Sequence, residues 1–348
     1  MAQLTLERPE IVDASSRTLD RSQQASTSEP EGPTRGDRVA GPWRAAQASR
    51  GGKGMPIALQ IAAMIGIGAL LYPSAADWFA TLNHNSEISG YVSQVAALPD
   101  EVREAKLEVA RQYNELMPAG PLRDPYSRIP GESDVADAAG YKAYTQVLNV
   151  SDNGVIGEVV YPRLSIGLPI YHGTDESVLT KGVGHLYGSS LPVGGPSTHA
   201  VLTSHSGLVR ASLFTELPKA QLGDSFQVTV LGETHHYRVD DIRTVVPGDT
   251  SSLAIVDGED YVTLFTCTPI GVNSHRILVR GVRVPGPEAE GSAIAGDGRQ
   301  AGFPWWALMF LGGSAVTGYL LFAPPRKRKA QRAEPTTTSA EHREGPDA

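Results

Sequence analysis

Cys267 is the only cysteine of this chain and the residue best suited to covalent chemistry. It follows the β-type run YVTLFT (261–266) and precedes a turn that contains Pro269. A thiolate at a rigid strand end is a competent nucleophile, whereas most free cysteines are small, buried and inert. The local sequence therefore leaves both interpretations open.

Two other residues have side chains that a thiol nucleophile requires. His205 ends the run VLTS, and a histidine is the usual base for a thiol, although eight other histidines compete for that role. Arg276 opens the next β-type run after Cys267, beyond a short connection rich in Pro and Gly. Antiparallel strands joined in this way bring Cys267 and Arg276 side by side, where a guanidinium can stabilise an oxyanion. A strand-end arginine in water fits the same local pattern.

The remaining composition argues against metal and nucleic-acid chemistry. His235, His236 and His275 are the candidate zinc ligands, but adjacent histidines on a strand point to opposite faces. No cysteine or carboxylate spacing completes a tetrahedral set around them. The formal net charge of −8 gives no basic surface for nucleic acid. We therefore expect no metal and no nucleic-acid partner.

The elements that must position these residues are short and β-rich. A helix is predicted over 101–117 from apolar residues spaced three and four apart, and an irregular loop rich in Pro, Gly and Asp follows it. Repeated short strands without long helices between them predict an all-β barrel or sandwich. The predicted strands cover 155–161, 164–170, 199–204, 225–231, 235–246, 261–266 and 276–284.

Two uncharged apolar runs predict transmembrane helices. The first covers 55–76 and the second 303–323, with tryptophans at one end of the second run. Small residues at 74–76 leave open that the first run is a cleaved signal peptide. In that case the second run still anchors the chain.

Basic residues set the expected orientation of both helices. Arg44, Arg50 and Lys53 precede the first run, and the cluster RKRK (326–329) follows the second. The positive-inside rule then places both termini in the cytoplasm and residues 77–302 outside the cell. The predicted localisation is the cell membrane.

Three motifs resemble those of the sortase family. TLFTC (263–267) is similar to the cysteine signature, HAVLTSHSGL (199–208) to the histidine strand and SHRILVRG (274–281) to the arginine strand, in the family order. The resemblance implies a closed sortase-like β-barrel with short helices. It also implies Cys267 as nucleophile, with His205 and Arg276 as catalytic partners and no cofactor.

Within that family the chain resembles class C, the pilin-polymerising sortases. The similar features are a second membrane helix, a helical segment before the barrel, and a lid motif made of Asp124, Pro125 and Tyr126. The resemblance implies that Asp124 pairs with Arg276 and that Tyr126 covers Cys267, although DPY is also an ordinary turn sequence. Ser204 departs from the pattern, because many relatives have glycine before the histidine.

The function implied by the resemblance is transpeptidation of a sorting signal. The enzyme would cleave an LPxTG-like signal through a thioester and join pilin subunits through a lysine isopeptide bond, in a Gram-positive bacterium. Attachment of surface proteins to peptidoglycan is the alternative within the family. A membrane-anchored β adhesin with a passive thiol is the alternative that is not an enzyme.

The predicted organisation follows from these assignments. An extracellular helical and lid segment precedes a catalytic barrel, and a helix and a tail flank them on each side. The predicted boundaries are 1–54 (disordered tail), 55–76 (membrane helix), 77–150 (helical and lid segment), 151–286 (barrel), 287–302 (linker), 303–323 (membrane helix) and 324–348 (basic tail).

Overall fold

The computed structural model describes residues 54–116, 122–126, 138–286 and 301–324. Nearly all of the predicted N-terminal tail, C-terminal tail and linker lies outside these residues. The helices are α1 (Gly54–Ala96), α2 (Asp100–Leu116), α3 (Ala138–Tyr144), α4 (Glu176–Leu179) and α5 (Trp305–Phe322).

Eight strands form a closed barrel, as the sequence motifs implied. The order around the barrel is β1-β2-β3-β4-β7-β8-β6-β5. The β2–β3 and β4–β7 pairs are parallel, and the other pairs are antiparallel. The strands are β1 (Val155–Tyr161), β2 (Ile166–His172), β3 (Val183–His185), β4 (Thr198–Thr203), β5 (Ser225–Val230), β6 (Glu233–Val245), β7 (Asp260–Thr268) and β8 (His275–Val284).

One strand was not predicted from the sequence. β3 covers only Val183–His185, and it pairs with the end of β2 and with β4. Three residues carry too little alternation to be recognised, because a strand signal needs a run of about four to eight residues. β3 matters because it joins β2 to β4, the strand that leads to His205.

Helix α1 continues beyond the apolar run that was predicted to span the membrane. Its first part is exposed, whereas Ile88, Tyr91 and Val95 in its second part are buried against the barrel. The Tyr91 hydroxyl donates to the Ile156 carbonyl at 3.0 Å, and the Leu231 amide donates to Tyr91 at 2.7 Å. The predicted membrane helix ended at residue 76 because Asp77 is the first charged residue after the apolar run. The helical backbone nevertheless continues to Ala96.

Helices α1 and α5 are both long and apolar enough to cross a membrane, and their most apolar segments are not buried in the protein. They pack against each other. Gln60 Nε2 donates to the Ser314 carbonyl at 3.0 Å, and the rings of Trp78 and Trp306 lie 6.1 Å apart. Gly313 lets Ile67 approach closely, because a Cβ there would lie 3.1 Å from Ile67 Cδ1.

Candidate active site

The barrel topology brings the three catalytic candidates to one end. In the β7–β8 ladder Cys267 is the direct partner of Arg276, as the antiparallel connection predicted. β4 runs parallel to β7, with Thr203 opposite Phe265, so His205 follows β4 at the end where Cys267 lies. All three residues line one cavity of about 470 Å³, and its other lining residues are Pro125, Tyr126, Glu176, Leu179 and Asn273.

The Cys267 thiol is largely shielded from water, with 7% of the residue exposed. Burial raises its pKa, the positive charge of Arg276 opposes that increase, and the negative charge of Asp124 adds to it. The Ser206 hydroxyl donates to the Cys267 carbonyl at 2.7 Å and ties the histidine loop to β7. In this arrangement the neutral thiol is favoured over the thiolate.

Arg276 is held by the predicted lid residue Asp124. Arg276 Nε donates to Asp124 Oδ2 at 3.0 Å and to Oδ1 at 3.3 Å. Arg276 Nη1 donates to the carbonyls of Asn273 and His275 at 2.9 and 3.2 Å. The two side chains are 6% and 1% exposed, so the ion pair is buried. The guanidinium is therefore occupied by protein acceptors rather than directed at a substrate.

Tyr126 fills the space between β7 and the histidine. Its ring stacks on Phe265 with centroids 5.9 Å apart and planes 5° apart, and it lies 5.6 Å from the His205 ring. Its hydroxyl donates to the Ser204 carbonyl at 2.6 Å and accepts from Thr203 Oγ1 at 2.7 Å. Burial raises the Tyr126 pKa well above its ordinary value, so the phenol stays a neutral donor. Tyr126 thus covers the face of β7 that leads to Cys267.

The lid residues are anchored at several points besides the ion pair. The Gly248 amide donates to Asp124 Oδ2 at 3.2 Å, and Thr250 Oγ1 donates to the Leu122 carbonyl at 2.9 Å. The Tyr126 amide donates to Asp124 Oδ1 at 3.0 Å, which closes a tight turn over Pro125. Leu122 and Tyr126 also pack against a small apolar cluster. The predicted lid residues are therefore packed against the rest of the protein.

His205 has a carboxylate partner that the sequence analysis missed. Its Nε2 lies 3.1 Å from Glu176 Oε2, at the first residue of α4. The two side chains are 19% and 64% exposed, so water reaches this pair. Glu176 lies on a four-residue helix in a loop, and nothing in the local sequence relates it to a histidine on another element. Only the β2–β3–β4 arrangement brings the two together.

Ser204, the departure from the family pattern, has a defined place. It is fully buried, and its hydroxyl donates to the Gly182 carbonyl at 2.6 Å. Its own carbonyl accepts hydrogen bonds from Tyr126 and from Thr266 Oγ1, each at 2.6 Å. The serine side chain therefore links the end of β4 to the segment after α4.

Comparison with known proteins matches the barrel region to a known family. Residues 159–284 match the model of the sortase domain. Sortase A of Streptococcus agalactiae is 30% identical over 117 residues, which are 33% of this chain and 47% of that protein. The chain therefore spans about half the length of this curated relative.

Solved structures match over nearly their whole length. Sortase C1 of Streptococcus agalactiae is 42% identical and has a TM-score of 0.52, with 59% of this chain and 97% of that chain covered. A pilus-related sortase C of Group B Streptococcus is 40% identical and has a TM-score of 0.50, with 56% and 96% covered. The chain belongs to the sortase family, whose members are cysteine transpeptidases, and its barrel is similar to that of the sortase C group.

Proposed function

We propose that this protein is a cysteine transpeptidase that cleaves an LPxTG-like sorting signal and joins pilin subunits. The observation that carries the proposal is the convergence of Cys267, His205 and Arg276 on one cavity at the end of the barrel. The name of the pilus-related sortase C supports pilins as the substrate class.

The first half-reaction forms a thioester. The Cys267 thiolate attacks the threonine carbonyl of the signal, and the negative charge moves to the carbonyl oxygen. Arg276, freed from Asp124, stabilises that oxyanion. Collapse breaks the threonine–glycine amide bond, and His205 donates a proton to the departing glycine amine. The acyl group remains on sulfur.

The second half-reaction transfers the acyl group to an amine. A lysine of the next pilin attacks the thioester carbonyl while His205 accepts a proton from the amine. The carbon–sulfur bond breaks, the thiolate is regenerated and an isopeptide bond forms. Two acyl transfers replace one difficult amide exchange, and the sequence of steps needs no cofactor.

The lid regulates when the first half-reaction begins. While Asp124 holds Arg276, the oxyanion has no free guanidinium, and burial keeps Cys267 as a thiol. Displacement of the lid opens the cavity, releases Arg276 and removes the Asp124 carboxylate from the thiol. One movement therefore frees space and lowers the pKa of the nucleophile.

The two apolar helices anchor the enzyme in the cell membrane, with both termini in the cytoplasm and the barrel outside. The contacts between α1 and α5 support a paired arrangement, since Gln60 and Ser314 bond each other in an apolar stretch. The anchors hold the barrel in the plane through which secreted substrates pass.

The test is intact-mass analysis of the full-length protein in detergent after mixing with an LPxTG-type peptide. We expect an acyl adduct on Cys267, more of it when Asp124 and Tyr126 are replaced by Ala and Gly, and none in Cys267→Ala. A pilin lysine should then resolve the adduct. Resolution by a peptidoglycan amine alone would favour wall attachment. No adduct in either lid state, with Cys267 reduced, would contradict the enzyme assignment and favour a passive thiol.

A further inference from the structure

The residues at which the two apolar helices leave the membrane lie side by side, at the same height. Asp77 is the first charged residue after the apolar run of α1, and Trp78 follows it. Trp78 Nε1 donates to the Gly302 carbonyl at 2.7 Å, just before α5, and its ring lies beside Trp306. Tryptophans and a first charge at the same height are typical of a membrane–water interface.

The barrel is oriented along α1 by contacts at two heights. Near this level Asp77 lines a small cleft together with Ser165 and Ile166, where β1 ends and β2 begins. Further along α1, Tyr91 bonds Ile156 at the start of β1. At 1.5 Å per helical residue these two contacts are about 20 Å apart. β1 therefore runs toward the membrane.

The strand pairings carry that direction to the active site. β2 is antiparallel to β1, β3 is parallel to β2, and β4 is antiparallel to β3. β4 and its parallel neighbour β7 consequently also run toward the membrane. His205 and Cys267 lie at the ends of these two strands. The strand directions therefore point the active-site ends of β4 and β7 toward the bilayer.

A direct contact confirms this placement of the histidine loop. The Ser212 amide donates to Asp77 Oδ1 at 2.7 Å. Within the same loop the Phe214 amide donates to the His205 carbonyl at 3.0 Å. Ser212, in the loop that follows His205, is thus held at the level of Asp77.

Exposed apolar residues occupy the two loops at this end. Val209 is 62% exposed on the histidine loop, and Ile270 and Val272 are 49% and 69% exposed on the β7–β8 loop. The loops touch, because Gly207 packs directly against Ile270. Arg210, beside Val209, is also exposed. We call Val209, Arg210, Ile270 and Val272 the rim patch.

We propose that the rim patch rests in the interfacial layer of the lipid bilayer, so that the active-site cavity opens at the membrane surface. The proposal rests on the membrane anchoring proposed above. Lipid is the occupant that fits, because the patch continues the level set by Asp77 and Trp78. Its apolar side chains suit the acyl boundary and Arg210 suits a lipid phosphate. A substrate tethered in the same bilayer then reaches Cys267 without leaving the membrane surface.

Depth measurement tests the proposal on the full-length chain. In Cys267→Ala the chain has no cysteine, so adding Val209→Cys, Val256→Cys or Leu311→Cys gives a single thiol that can carry an environment-sensitive fluorophore. Val256 is the matched control, since it is an exposed valine close to the start of β7 at the opposite end of the barrel. Leu311, on α5, reports membrane insertion.

In vesicles of phosphatidylcholine and phosphatidylglycerol, we expect spin-labelled lipids to quench the labels at 209 and 311 but not at 256. The depth at 209 should be about 5–10 Å, as for interfacial segments. Quenching at 311 without quenching at 209 would overturn the proposal, because the patch would then face water or another protein. Quenching at neither would overturn the membrane anchoring as well.

A kinetic experiment separates this inference from the proposed chemistry. With Cys267 retained, Val209→Asp should slow acylation by a membrane-tethered signal in the same vesicles and leave acylation by a soluble peptide unchanged. If Val209→Asp and the unaltered protein were acylated by the tethered signal at equal rates, that result would contradict the inference. If the unaltered protein formed no adduct with the soluble peptide, that result would instead contradict the transpeptidase assignment, whatever the quenching shows.

Discussion

The cavity around Cys267 is bordered by two pairs of polar side chains that differ in their exposure to water. Arg276 and Asp124 are 6% and 1% exposed, and several further hydrogen bonds hold them. His205 and Glu176 are 19% and 64% exposed, and they meet at a single contact of 3.1 Å. The first pair is shielded from water, and the second leaves one edge of the cavity open to it.

This difference shows how the two pairs contribute to the protein. A buried charge without its partner carries a large desolvation cost, so both members of the Arg276 pair depend on each other. An exposed pair contributes about 0–1 kcal/mol, because water screens it and solvates either member alone. We therefore expect the buried pair to control the lid and the exposed pair to adjust the orientation of His205.

The largest effect is expected from Arg276→Ala. It leaves Asp124 without its cation in a buried place, and breaking such a pair costs about 3–5 kcal/mol of the free energy of unfolding. Opening of the lid would solvate Asp124 and relieve part of that loss. The variant should also lose acylation by the signal peptide. Urea unfolding and intact-mass analysis measure these effects.

Two further variants check that the loss comes from the buried pair. Arg243→Ala removes an exposed ion pair with Asp241 on β6, where we expect a loss of about 0–1 kcal/mol. Asp124→Ala combined with Arg276→Ala should recover stability relative to Arg276→Ala alone. A double variant that is no more stable than the single one would mean that the two charges do not depend on each other.

The second effect concerns the thiol. Burial and the Asp124 carboxylate both raise the Cys267 pKa, so Asp124→Ala should lower it. The thiolate fraction at neutral pH then rises, and the pH midpoint of iodoacetamide alkylation moves down. The alkylation rate at pH 7 should increase for each unit by which the pKa falls, but less than tenfold, because a thiolate of lower pKa is a weaker nucleophile.

The matched control for this experiment is Asp249→Ala. Asp249 lies in the neighbouring loop, where its carboxylate bonds Ser251 and is exposed. That variant should alkylate at the rate of the unaltered protein. An unchanged or higher midpoint in Asp124→Ala would show that the lid does not suppress the thiolate.

The same contrast explains how much of the site could be predicted from the sequence. The strand positions and the Cys267–Arg276 pairing follow from short-range pattern and from the connection between β7 and β8. The Asp124–Arg276 contact came only from family resemblance, since DPY alone is an ordinary turn. Glu176 was missed because its approach to His205 depends on β3, which is too short to leave a signal. These contacts depend on the pairing of strands that are far apart in the chain, and the local sequence around each residue does not predict that pairing.

A smaller effect is expected from Ser204→Gly, at the residue that lies between the two pairs. The substitution removes the hydrogen bond to the buried Gly182 carbonyl, and one such bond contributes about 1 kcal/mol. The Ser204 backbone carbonyl still accepts from Tyr126, so the lid should stay closed and alkylation of Cys267 should not change. Differential scanning calorimetry and the alkylation rate measure the two quantities. Faster alkylation would mean that the serine side chain also secures the lid.

The smallest effect is expected from Glu176→Gln. Glutamine keeps the size of the side chain and a hydrogen-bonding oxygen, and the charge that it removes is already exposed to water. The free energy of unfolding should change by no more than about 0.5 kcal/mol. kcat/KM for acylation should fall less than about fivefold, because a contact this exposed to water contributes no more than about 1 kcal/mol. His205→Ala, measured beside it, should lose acylation altogether. A loss of kcat/KM in Glu176→Gln close to that of His205→Ala would mean that the carboxylate orients the imidazole in the reacting state, where the substrate has excluded water. The exposed pair would then matter as much for acylation as the buried one.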